Sequence, residues 1–228
     1  VTQSLTGFSI QYGSATGQFG STATNIYAFI AGTSIPAGGY LLIQCGPTGT
    51  SGTPLPVTPD FVTGNLNMGQ ASGKVALANQ VAALGCGATA TPCTLPHAAI
   101  IDLVAWGTSN NAEGGASVNN GVAITSTQGC VRKTLGCTDT NNNNLDFDVV
   151  TAPVPRNSSS PVNVCGAASP NLSATLLTPF GNVCVNTTTA PNSFTITGIN
   201  LTTANVTVGA LAGFTYSTTA GGTYTATL

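Results

Sequence analysis

Apolar residues fall along the chain in short blocks of alternating character rather than at helical spacing. Leu5–Tyr12, Asn25–Ile30, Tyr40–Gln44, Lys74–Ala78, Ile100–Trp106 and Cys130–Lys133 each alternate, or run briefly apolar, between turn-formers such as Pro36-Ala37-Gly38-Gly39. Period-two blocks of this length, set off by Gly, Pro and Asn, predict strands. The Ala-rich stretch Leu66–Leu84 is broken by Gly69 and Gly73 and alternates at Val75 and Leu77, so it too reads as turn and strand. Ala152–Pro161, rich in Pro, Ser and Asn, reads as an extended segment that closes one domain. Beyond it a second set follows: Ser193–Thr197, Val206–Val208, Phe214–Ser217 and Tyr224–Leu228, with Gly221-Gly222 as a turn. The pattern predicts an all-β chain of two parts, a β-sandwich over 1–164 and a partial second β-sandwich over 165–228. Alternation puts Phe8, Ile10, Leu42, Val75, Leu77, Val104 and Trp106 in the first core.

Composition narrows the function. Only 4% of the 228 residues are charged, with four Lys+Arg and a formal net charge of −2. Four cations cannot neutralise a track of phosphates, which argues against nucleic-acid binding. The apolar stretches fall well short of the roughly 20 residues a spanning helix needs, so no transmembrane segment is expected. A signal peptide is expected to have been removed or to lie upstream of Val1.

Seven cysteines, at 45, 86, 93, 130, 137, 165 and 184, point to disulfides in an oxidising compartment. Cys86 and Cys93 flank a short loop, Cys137 and Cys165 bracket the end of the first part, and Cys45 with Cys130 makes a third pair, leaving Cys184 over. The rival use of Cys86 and Cys93 is zinc binding together with His97.

Candidate chemistry is sparse. Asp139-Thr140-Asn141-Asn142-Asn143-Asn144-Leu145-Asp146 places oxygen ligands at alternating positions as a calcium loop does, but has no sharp-turn Gly and no closing Glu; Asn and Asp also make turns on their own account. Asp102 lies in an apolar strand, where burial can raise a carboxyl pKa, yet its neighbours His97 and Glu113 stand at no catalytic spacing. Arg156, after Pro155, reads as a structural cap. With no nucleophile elbow, metalloprotease helix, phosphate loop or dinucleotide fingerprint, the chain reads as non-enzymatic, with no cofactor and no catalytic, cofactor-binding or metal residue to name.

Six segments in order carry a resemblance: Ser4–Tyr12, Ile35–Gln44, Gly73–Leu77, Ile101–Gly107, Gly136–Phe147 and Pro153–Ser158. Together they resemble the bacterial lamin-tail domain over about residues 1–160. Phe8 stands where that family usually has Trp, and Trp106 where it usually has Tyr. The family's usual first strand pair has no counterpart before Ser4. The resemblance implies an immunoglobulin-like sandwich of secreted or cell-surface proteins, sometimes beside nuclease or phosphatase domains, and brings no catalytic residues. Phe194–Leu228, chiefly through Phe194–Leu201 and Gly213–Thr219, resembles the first half of a sandwich common in tandem arrays of bacterial surface proteins. The expectation is therefore a structural or adhesive module of an extracellular or cell-surface assembly, a repeating filament subunit being one form, closed by strand addition between copies. The alternative is an accessory domain of a larger secreted hydrolase. A carbohydrate-binding module would want a platform of exposed aromatics, which 6% aromatic residues and one Trp scarcely supply.

Overall fold

The computed structural model describes residues 1–46, 54–166, 171–201 and 205–228. The protein is all-β, in two compact units, Val1–Gly166 and Ala167–Leu228. In the first unit the strands are β1 (Gln3–Ser4), β2 (Ser9–Ser14), β3 (Ile26–Ala28), β4 (Ser34–Ile35), β5 (Ile43–Gln44), β6 (Phe61–Val62), β7 (Gly73–Ala78), β8 (Ile100–Trp106), β9 (Gln128–Arg132) and β10 (Phe147–Thr151). A four-stranded antiparallel sheet, ordered β3-β2-β7-β8, is the centre. Three two-stranded sheets surround it: β1 with β4, β9 with β10, and the parallel pair β5 with β6.

Residues paired across an antiparallel ladder share a face of the sheet. Ile10 pairs Leu77, Tyr12 pairs Val75, and Val75 pairs Val104, so these large side chains form one face. It packs on Leu66 and Trp106, flanked by Tyr27, Ile124, Cys45 and Cys130. Gly73 faces Trp106 across the ladder, and any Cβ there would come within 2.6 Å of the indole.

The opposite face is built from small and polar residues and is the more deeply buried. Ser9, Gln11, Lys74, Ala76, Ala78 and Ala105 are all 0% exposed, and they pack with Phe19, Leu84 and Leu103. The reason is a loop laid on that face. Gln11 Nε2 donates to Ala82 O at 2.8 Å and its Oε1 accepts from Leu84 N at 2.9 Å, while Ser9 Oγ donates to Gln80 O at 2.5 Å. Backbone groups can lie on a sheet only where side chains are short and polar atoms find partners. Every residue the alternation assigned to the core is at least half-buried, but Phe8, Ile10, Leu42, Val75, Leu77 and Val104 are only partly so. Both faces of the sheet are covered, and strict alternation picks out only one.

In the second unit β11 (Asn171–Ala174) pairs antiparallel with β12 (Ile196–Ile199). The expected strands at Val206–Val208, Phe214–Ser217 and Tyr224–Leu228 do not form ladders. Val208 and Leu228 exchange backbone hydrogen bonds at 2.7 and 3.1 Å, and Tyr216 bridges Thr225, but these contacts stay isolated. No described residue of this unit is buried. Without a covered face, alternation has no core to reward and the ladders do not propagate.

Candidate functional site

The first unit gathers charge around Arg132, the last residue of β9. Its side chain is only 14% exposed, and its Nη2 lies 2.6 Å from both carboxylate oxygens of Asp102 on β8. Its Nη1 donates to Thr138 O at 3.0 Å and stands 3.3 Å from Asp139 and 3.9 Å from Asp146, with the guanidinium 4.4 Å from the Phe147 ring centre. A planar fork fits this task, since one guanidinium can serve several carboxylates and stack on an aromatic ring at once.

The Asn-rich loop between β9 and β10 positions the rest. Asp146 is fully buried and accepts from Thr140 N, Thr140 Oγ1 and Asn142 N at 2.9, 2.7 and 3.0 Å. Burial alone would raise its pKa; these hydrogen bonds and Arg132 outweigh burial and hold it below the usual carboxylate range. Asn142 caps the helical turn Asn143–Asp146 through Leu145 N. Asn143, also 0% exposed, pairs with β8 like a further strand residue, donating to Leu103 O at 2.7 Å and accepting from Ala105 N at 2.9 Å. The oxygens that suggested a calcium loop are thus spent on the turn and on its docking to β8.

Glu113 completes the cluster from the loop after β8. It is 8% exposed and takes Asn143 Nδ2 on Oε2 at 3.2 Å. Burial first, then the charges of Asp102 and Asp139, push its carboxyl up to about 7 against the pull of Arg132. Burial likewise raises Asp102, with Arg132 opposing and Asp139 adding. Asp102 and Glu113 therefore do lie in one cluster, organised by Arg132, whose partners lie 6 to 30 positions away and leave no local signal in the sequence. His97 donates to neither carboxylate; its Nδ1 accepts from Ala99 N at 3.2 Å, and its ring lines the same cavity as Glu113.

The remaining candidates are structural. Arg156 Nη1 donates to Tyr40 OH at 2.8 Å with its guanidinium over the ring, pinning the Pro-rich segment to the rest of the first unit. Asp60 holds the same segment, accepting from Leu42 N at 2.7 Å and from the Ser158 hydroxyl. Lys74, 0% exposed, donates to Ser14 O, Ala15 O and Asn110 Oδ1 at 2.8, 3.2 and 2.8 Å, and burial lowers its pKa to about 8.

Two disulfides are present, Cys86–Cys93 and Cys137–Cys165. Since the Cys86 and Cys93 sulfurs are bonded to each other, they are not zinc ligands. Cys45 and Cys130, expected as a third bridge, are free thiols. Both pack as small apolar groups against the Tyr12–Leu66–Trp106 cluster, and burial raises both pKa values, that of Cys130 to about 11. Such thiols are withheld from the thiolate that oxidation requires. Cys184 is free and exposed.

Among the described residues no group of three or more His, Cys, Asp or Glu is arranged to hold a metal ion, and no helix is long and apolar enough to cross a membrane. What the fold defines is an all-β, disulfide-bonded protein whose described residues include a partly buried ion cluster around Arg132. The chain matches no protein-family model, no curated protein and no solved structure.

Proposed function

We propose that this chain is a non-enzymatic structural module of an extracellular or cell-surface assembly, and that copies associate through the unit 167–228. One observation carries the reading: that unit contains no Asp, Glu, Lys, Arg or His, and its large apolar side chains lie at the surface. Leu176 is 97% exposed and Val185 89%. Phe180, Val183, Phe214 and Tyr224 line an open groove of about 630 Å³. The only described sheet there has two strands, so both outer edges present unpaired backbone groups. A two-stranded sheet is marginal in water, and an added strand would satisfy its edge groups and cover its face together. A second copy fits this surface because no charge has to be desolvated on either side. The two disulfides and the lamin-tail resemblance of residues 1–160 support an oxidising, extracellular setting.

The test is sedimentation of the oxidised full chain across micromolar concentrations, beside a Leu176→Lys, Val185→Lys variant. Self-association that the variant abolishes is the expected result. A wild-type chain that stays monomeric throughout would sink the reading in favour of an accessory domain of a larger secreted hydrolase.

A further inference from the structure

A cavity of about 350 Å³ opens at the start of β8, walled chiefly by Leu95, Pro96, Ile100 and Ile101, with His97 and Glu113 as its ionisable groups. Glu113 is more than nine-tenths buried, yet only one of its oxygens is engaged. Asn143 donates to Oε2, while Oε1 accepts no hydrogen bond among the described residues. The cations of this unit are committed elsewhere. Arg132 serves Asp102, Asp139 and Thr138 O, Lys133 serves Leu145 O and Asp148, and Lys74 and Arg156 are held by Asn110 and Tyr40. The charges of Asp102, Asp139 and Asp146 add to the negative potential at Glu113, and the guanidinium of Arg132, paired with all three, opposes them.

The cavity therefore has an apolar wall of Leu95, Pro96, Ile100 and Ile101 and a polar end where Glu113, Gly114 and Asn141 lie. A second anion would be repelled. A hard divalent cation wants about six or more oxygens, and beside Glu113 the lining side chains add only the Asn141 amide. An organic cation matches both properties, since its alkyl part gains by leaving water and its N–H groups make a charge-assisted bond to a carboxylate. We propose that this cavity binds an alkylammonium group, its chain against Leu95, Pro96, Ile100 and Ile101 and its nitrogen donating to Glu113 Oε1. The group is supplied either by a free small amine or by a lysine side chain of another protein.

The charge state of Glu113 gives the site a pH signature. Its carboxyl titrates at about 7, with His97, Asp102, Asp139, Asp146 and Arg132 as the ionisable groups around it. The alkylammonium binds the ionised form, so affinity rises with pH through that value and falls about tenfold for each unit below it.

The experiment is a calorimetric titration of the oxidised full chain with n-butylammonium chloride between pH 5 and pH 9, repeated with Nα-acetyl-lysine methylamide, n-butanol and calcium chloride. Saturable binding of either amine, tighter at pH 8 than at pH 6 and weakened about tenfold or more in Glu113→Gln, is the expected result. Binding of the lysine derivative but not butylammonium assigns the site to a partner's lysine, and the converse to a free amine. Carboxyl-carbon NMR of Glu113 keeps the test independent of the variant's folding, because saturating butylammonium should lower its titration midpoint. No saturable binding of either amine, equal binding of n-butanol, preference for calcium, or an unmoved Glu113 midpoint would each overturn the proposal.

Discussion

The two units invert each other's use of polar and apolar residues. In Val1–Gly166 a lysine, a glutamine, two asparagines and two carboxylates are buried among alanines and aromatics, each with partners. In Ala167–Leu228 leucines, valines and phenylalanines stand in solvent and not one formal charge occurs. All ten charged residues of the chain lie between Asp60 and Arg156. The low overall charge is thus two separate facts: a first unit that spends its few ions on internal structure, and a second that has none. A buried ion needs a complete set of partners and so fixes one arrangement of a single chain. An uncharged apolar surface fixes nothing by itself and gains from whatever covers it.

This contrast can be broken in four places. The largest effect is expected from Arg132→Met, which strands Asp102 and Asp146 without their guanidinium. Because the Asp102 side chain is 39% exposed, water screens part of the charge left behind, and the loss in urea unfolding of the first unit should be about 2–4 kcal/mol rather than that of a fully sealed pair. Trp106, the single tryptophan, reports on that unit alone. A loss below about 1 kcal/mol would mean the carboxylates are solvated after all.

Removing the Cys137–Cys165 bond by paired Ser substitutions should cost about 3 kcal/mol, because it closes a 28-residue separation in the unfolded chain. The same pair of substitutions should leave the self-association of the second unit intact, read by sedimentation at a temperature where the first unit is still folded.

Glu113→Gln should act the other way. Folding raises this carboxyl from 4.5 to about 7, so between those values the folded chain binds more protons than the unfolded one. Wild-type stability attributable to Glu113 is full below pH 4.5 and declines as pH rises through 7. The Gln variant escapes that decline, gaining about 3 kcal/mol over wild type at pH 8 and nothing at pH 4. Unfolding curves of the two proteins that stay parallel from pH 4 to pH 8 would remove Glu113 from the buried cluster.

The smallest effect belongs to the second unit. Val185→Lys, at an 89% exposed position, should change thermal stability by less than about 0.5 kcal/mol while weakening association. A loss above about 2 kcal/mol in the monomer would show that Val185 is packed within its own chain, and the contrast would fall.

Two strands of the central sheet, β7 and β8, were legible to within one residue at an end because their alternation is strong and their turns carry Gly, Pro and Asn. By contrast, β2 begins four residues and ends two residues beyond the expected Leu5–Tyr12, and β3 is shorter than the expected Asn25–Ile30. In the short pairs, β5, β9 and β12 overlap expected strands, but their partners were not legible. Phe61–Val62 and Phe147–Thr151 have no run long enough to show a period, and Asn171–Ala174 has only one large apolar residue. The loop Asp139–Asp146 announced itself as turn chemistry, yet nothing local indicated that Asn143 would dock on β8 or that Asp146 would be sealed beneath Thr140. Asp102 stood out as a carboxylate in an apolar strand. Arg132, which neutralises it, looked like one end of an ordinary strand.

The chain by itself thus determined its class: period-two blocks, turn residues and the near-absence of charge leave little but an all-β protein, and the close spacing of Cys86 and Cys93 nearly dictates their bond. Tertiary structure alone decided which face of the central sheet lies deeper, since the loop Gln80–Leu84 is placed there by hydrogen bonds from Ser9 and Gln11, 71 to 73 residues away. It also decided that Cys45 and Cys130 are not bonded to each other and that three carboxylates meet one guanidinium. Alternation is a property of neighbours two apart and survives in any fragment, whereas burial, pKa and ion pairing are set by what the rest of the chain brings within a few ångströms.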